Sequence, residues 1–124
     1  MTAAGPRPAL YIRKARGMGR GVFAGRKYRK GEVIEVCPVI ALPEAPGGML
    51  ERYVFRWGED GVAVALGYGS LYNHSAEPNA KFAVRESRAE VVFRALRDIA
   101  VGEQILIDYG WEEDDYTNLL RPPE

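Results

Sequence analysis

A single cysteine, Cys37, and a single histidine, His74, are all that this chain offers of the two residue types that most often hold metals. One cysteine excludes an internal disulfide and cannot supply a cysteine-rich zinc cluster. Set in an apolar run, Cys37 reads as a small buried hydrophobe. No apolar run approaches the roughly eighteen residues of a membrane-spanning helix, and residues 1–17 lack the continuous apolar stretch of a secretory signal. An intracellular protein is expected, with the cytoplasm first and the nucleus open, and with no membrane partner. Net charge is missing too: 17 basic and 17 acidic residues cancel, with a pI near 6.6. The field of the whole molecule therefore gives no reason to expect direct nucleic-acid binding. Sustained helical periodicity is also absent.

What is present is a chain of 124 residues, 47% of them hydrophobic, enough for one domain with a real core and too short for two. The sequence leads us to expect a flexible N-terminal segment over residues 1–9, the folded domain over residues 10–120, and a C-terminal tail over residues 121–124. Short β-branched and aromatic runs alternate with glycine and proline signals. Residues 53–57 and 62–66 flank a polar loop with glycine at both ends and make a hairpin, and residues 81–84 and 90–95 make another. Residues 33–40 form a strand that Pro38 interrupts or bends, and residues 49–52 a short helical turn at most. The fold class is mostly β, built from several small sheets. Residues 27–34 and 97–105 echo each other, each with a basic start and a Gly-Glu turn before an apolar strand. Nine of the basic residues precede the first acid, Glu32, and residues 112–115 are all acidic. Such runs are usually solvated faces; an acidic rim for a basic peptide is the sharper reading.

Polar groups concentrate in residues 66–80, where a core strand would be apolar. The stretch carries Gly67, Tyr68, Gly69, Tyr72, Asn73, His74, Ser75, Pro78 and Asn79. Asn73-His74-Ser75 fits the glycosylation acceptor pattern, but an intracellular protein removes the compartment for it. Two other segments keep it company: Gly19-Arg20-Gly21-Val22-Phe23-Ala24, and Gly102-Glu103 running on to Asp108-Tyr109-Gly110. Gly19 and Gly21 are not a dinucleotide fingerprint, since valine stands at 22 and no helix pattern follows. Together and in this order, the three segments resemble the signature of the SET-domain protein lysine methyltransferases. The resemblance spans residues 19–110. It implies a SET-type fold of several small curved sheets with a C-terminal pseudoknot, and S-adenosyl-L-methionine as the cofactor.

Methyl transfer to a lysine amine is an in-line displacement, so the main task is positioning. The amine must also arrive neutral although its ordinary pKa is about 10.4, which favours a dry channel of aromatic rings and polar oxygens over one of carboxylates. The resemblance assigns Tyr109 as the active-site tyrosine. It assigns Gly19, Arg20, Gly21, Asn73, His74 and Trp111 to the cofactor, Tyr68, Tyr72 and Ile107 to the substrate channel, and Asn79 and Asp108 to support of the site. No metal is implied. Ile107 stands where an aromatic residue is usual, which implies a roomier pocket, a di- or trimethylated product, and a shift toward monomethyl-lysine in Ile107→Tyr.

Ala76 departs from the family's frequent cysteine, and flanking zinc-binding cysteine clusters are absent. The implied partner is a protein with a basic, lysine-containing segment, a histone or another basic protein; a homodimer is compatible with the sequence. A catalytically degenerate module that binds the cofactor or a basic peptide is the alternative. A hydrolase built on Ser75, His74 and Asp108 fails because adjacent residues of a strand point to opposite faces and no nucleophile elbow is present.

Overall fold

A computed structural model describes residues 8–109. Among the described residues, nine strands make three small sheets. β1 (Leu10–Ala15) and β2 (Gly19–Ala24) form an antiparallel hairpin. It turns on Gly17 and Gly19, both left-handed (φ 73° and 71°). Tyr11 and Phe23 face each other across it with ring centroids 5.7 Å apart.

The central sheet has the order β4-β5-β3-β8-β7 and is antiparallel throughout. Its strands are β3 (Val33–Leu42), β4 (Val54–Trp57), β5 (Gly61–Ala65), β7 (Ala80–Arg85) and β8 (Glu90–Ala95). Both expected hairpins are therefore present, with ends displaced by a residue or two. Met49–Tyr53 forms a short 3-10 helix before β4. β3 continues through Pro38 rather than stopping there. It pairs with β8 up to Pro38 and with β5 from Val39 onward, so the proline marks a change of partner. Only its carbonyl is used there, accepting the Leu66 N–H at 2.9 Å.

The third sheet is minimal: β6 (Asn73–His74) lies parallel to β9 (Leu106–Ile107). This pairing brings the central polar stretch against the end of the described chain. The implied pseudoknot and the ends of the domain beyond Tyr109 lie outside the described residues.

The echo between residues 27–34 and 97–105 is a structural equivalence. Tyr28 and Ile99 form an antiparallel bridge, exchanging N–H···O bonds of 3.0 and 2.8 Å. Gly31 and Gly102 have φ of 85° and 86°, a left-handed turn that favours glycine. Gly31 N–H donates to Ala95 O, and Gly102 N–H donates to Ala24 O, each at 2.8 Å. In each unit the glutamate after the glycine accepts from the backbone N–H three residues earlier and pairs with the arginine six residues earlier: Glu32 with Arg29 N and Arg26, Glu103 with Ala100 N and Arg97. One turn design is used twice about a local two-fold, at a constant offset in numbering.

The core lies between this two-fold and the central sheet. Tyr28, Phe55, Phe93, Ile99, Ile105 and Ile107 are fully buried. Phe55, Phe82 and Phe93 make edge and tilted contacts at centroid distances of 5.2–6.4 Å.

Candidate functional site

The site begins with a backbone too crowded for side chains. An ideal Cβ on Gly21 would fall 2.3 Å from Gln104 Oε1 and 2.9 Å from Asn73 Nδ2, so only glycine lets those two amides close over β2. Asn73 Nδ2 donates to Gln104 Oε1 at 2.9 Å and to Arg20 O at 3.1 Å. Ile105 N donates to Val22 O at 2.8 Å, and Ala24 N to Glu103 O at 2.9 Å. The three segments singled out in the sequence thus meet through hydrogen bonds, although some fifty and thirty residues separate them along the chain.

Asn79 fixes that junction from inside. It is 2% exposed and uses every polar group it has. Its Nδ2 donates to Gln104 O, its Oδ1 accepts from Leu106 N, its N–H donates to Leu106 O, and its carbonyl accepts from Leu96 N. A buried amide so satisfied is a latch rather than a reactive group.

A cavity of about 160 Å³ opens beside the junction, lined by Met18, Gly19, Arg20, Tyr53, Ser70, Leu71, Tyr72, Asn73 and Tyr109. Among the described residues, no carboxylate lines it. Tyr109 O–H donates to Tyr72 O at 2.7 Å, and Tyr109 N–H donates to His74 Nδ1 at 2.9 Å. The second bond makes Nδ1 an acceptor and places the imidazole proton on Nε2 in this geometry. The His74 and Tyr109 rings lie 5.0 Å apart, and Asp108 Oδ1 is 3.8 Å from the same Nδ1. Burial first, and the neighbouring Tyr53 second, raise the Tyr109 hydroxyl above its ordinary pKa, so it stays protonated as a donor.

Gly19, Arg20, Tyr72, Asn73 and Tyr109 therefore reach the cavity, while Gly21, His74, Asn79 and Asp108 stand around it. Three residues assigned to the channel sit differently. The Tyr72 ring is turned into the core, 1% exposed and 4.4 Å from Phe93, with its hydroxyl donating to Glu35 Oε1 at 2.6 Å. What it brings to the cavity is the carbonyl that receives the Tyr109 hydroxyl. Ile107 is fully buried in the core and does not line the cavity, because β9 needs an apolar inward face. Tyr68 packs partly buried on the core, its N–H donating to Glu35 Oε2 at 3.0 Å. Trp111 lies outside the described residues.

Sequence reasoning missed Met18, Tyr53, Ser70 and Leu71 on the lining, Gln104 opposite Asn73, and Glu35 underneath. Glu35 left a signal: an acid inside an apolar strand demands a partner. Its two oxygens hold Tyr72 and the Tyr68 backbone, which fixes the loop carrying the Tyr72 carbonyl. Among the described residues, no three His, Cys, Asp or Glu side chains are grouped so as to hold a metal ion.

A family model described as the SET domain matches residues 19–110, from the first glycine of this junction to the residue after Tyr109. The chain belongs to the SET domain family. It is 32% identical over 124 aligned residues to a Schizosaccharomyces pombe histone-lysine N-methyltransferase specific for H3 lysine-37, with 93% of this chain and 84% of that protein covered. It is 30% identical over 116 residues to human histone-lysine N-methyltransferase 2B, covering 82% of this chain but 4% of that much longer protein. Among solved structures, a Plasmodium falciparum protein assigned as a histone methyltransferase superposes with a TM-score of 0.72 at 31% identity, covering 86% of this chain and 97% of that one. A chain of ctPRC2 bound to S-adenosylmethionine shares the fold at a TM-score of 0.69 and 20% identity, covering 84% of this chain and 15% of that one.

Proposed function

We propose that this SET domain transfers a methyl group from S-adenosylmethionine to the side-chain amine of a protein lysine, with the cavity beside Tyr109 as the place where the two meet. The observation that carries the reading is that cavity itself. All three motif segments contribute to its walls or frame, and among the described residues its lining offers hydroxyls and carbonyls but no carboxylate that would hold a lysine in its charged form.

The donor set suits the cofactor. Gly19 has open space around its Cβ position, so the β2 backbone is bare there for a ligand's polar groups, while Gly21 is where the Gln104 and Asn73 amides close over the strand. Arg20 on the rim complements a carboxylate. Gly19, Arg20, Gly21, Asn73 and the backbone of His74 would hold the bound cofactor, which supplies an electrophilic methyl group. Tyr109 orients the incoming amine: its ring walls the cavity, and its hydroxyl, held by the Tyr72 carbonyl, points polar atoms at the amine without taking its proton. His74 holds the Tyr109 backbone, and Asn79 holds the β6–β9 seam on which both stand. Catalysis of this kind is placement and desolvation rather than acid–base exchange. The substrate class is a basic, lysine-bearing segment of a histone or similar protein, in keeping with the names of the relatives.

The test is incubation of the full chain with the cofactor and a mixture of basic proteins, followed by mass spectrometry of lysine residues. Methyl-lysine that depends on the chain is the expected result. Cofactor binding by calorimetry without any methyl transfer would instead identify a degenerate binding module.

A further inference from the structure

We propose that the turn spanning Arg26 to Glu32, with Arg94 and Lys81 beside it, is a docking surface for the phosphate backbone of nucleic acid. The chain as a whole is neutral, but its charge is segregated. A surface depression of about 600 Å³ is lined by Arg26, Lys27, Arg29, Lys30, Gly31 and Glu32, four cations to one acid. That acid is already engaged, by the Arg26 guanidinium at 3.0 Å and by the Arg29 backbone N–H at 2.9 Å.

The local two-fold shows which of these cations the fold needs. Arg26 is structural: it pairs with Glu32 and lies 3.9 Å over the Tyr28 ring, and Arg97 repeats the pairing with Glu103 in the equivalent turn. Lys27, Arg29 and Lys30 have no such excuse. Their counterparts are Asp98, Ala100 and Val101, which build the same turn with the same glycine angle and the same backbone bonds. Three cations thus stand where folding is satisfied without any.

The positive surface continues onto the sheet. Arg94 donates to Gly31 O at 3.3 Å, which brings its guanidinium to the rim of the depression. Lys81 lies directly opposite Arg94 across β7 and β8, a like-charge pair that costs stability unless an anion offsets it. The display is held rigidly, since the Tyr28–Ile99 bridge, Gly31 N to Ala95 O and Lys30 N to Asp98 Oδ1 pin the turn from beneath. Guanidinium and ammonium groups so presented match a row of phosphates, and binding of that kind releases counterions and weakens with salt.

The test is independent of methyl transfer. Fluorescence anisotropy of labelled duplex DNA and duplex RNA is measured with the full chain at about 50 and 200 mM salt. The variant carrying Lys27→Asp, Arg29→Ala and Lys30→Val copies the second turn and should fold, which its melting temperature checks. Wild-type binding that falls with salt, and a loss of about tenfold or more in the triple variant with a shallower salt slope, is expected. Three results would each overturn the proposal: no wild-type binding at the lower salt, unchanged binding in the triple variant, or equal binding of poly-glutamate, which would make the partner an acidic protein.

Discussion

Gly21 shows most sharply how one residue constrains the site. A methyl group there must push aside Gln104 Oε1 or Asn73 Nδ2. Gly21→Ala is therefore expected to weaken cofactor binding by calorimetry about tenfold or more, roughly 1.4 kcal/mol or above, while the melting temperature moves little because both amides are at the surface of the seam. Tyr72→Phe removes the hydroxyl that satisfies Glu35 Oε1 and should cost about 1–3 kcal/mol in chemical denaturation. Ile107→Tyr illustrates what sequence alone leaves open. Resemblance to the family implied a product-setting position in a roomy channel, but Ile107 is fully buried. A ring at that position overpacks the core, so the expected outcome is a loss of about 1–3 kcal/mol in stability, with any change of product secondary to it. Position in a motif was readable; the direction of the side chain depended on which face of β9 met the core.

At the scale of elements, the hairpins were legible because period-two alternation and glycine-bounded loops both favour strand and turn. The passage of β3 through Pro38 was not, because a proline's effect depends on whether its missing N–H faces a partner, and that is a property of the assembled sheet. The meeting of β2, β6 and residues 103–109 was available only through family resemblance, since no local signal joins segments so far apart. Gln104 and Glu35 escaped because alternation tells inside from outside but names no partner. Two further outcomes belong to this scale. Ala89, the sole non-glycine residue with positive φ among the described residues (φ 53°), closes the turn before β8; Ala89→Gly should gain up to about 1 kcal/mol in urea unfolding. Asn79→Ala should lose about 2–4 kcal/mol, as a buried donor and acceptor on the 104–106 segment lose their partners.

For the whole molecule, the titrating groups that govern stability on the alkaline side are buried weak acids. Cys37 and Tyr72 are raised by burial and then by the Glu35 carboxylate, and Tyr28 and Tyr109 by burial above all. Each holds its proton more tightly folded than unfolded, so the folded state binds more protons once the unfolded groups begin to ionise. The stability these four groups contribute is accordingly full below about pH 8.5, the unfolded cysteine value, and falls as pH rises further, most steeply beyond about 10 where unfolded tyrosines ionise. A melting temperature that climbs between pH 9 and 11, roughly that window, would contradict this. Methyl transfer should rise toward alkaline pH below that limit as the substrate lysine gives up its proton more readily. The central claim is that the Tyr109 hydroxyl, held by the Tyr72 carbonyl in a cavity whose described lining has no carboxylate, positions a lysine for methyl transfer. Its most direct test is the single-turnover methylation rate of Tyr109→Phe against wild type at saturating cofactor, with cofactor affinity measured alongside. The account predicts a rate lowered by roughly a hundredfold, in the range that misplacement of reacting groups produces, at nearly unchanged affinity; an unchanged rate would make Tyr109 a structural residue and remove the cavity's claim to be the site of transfer.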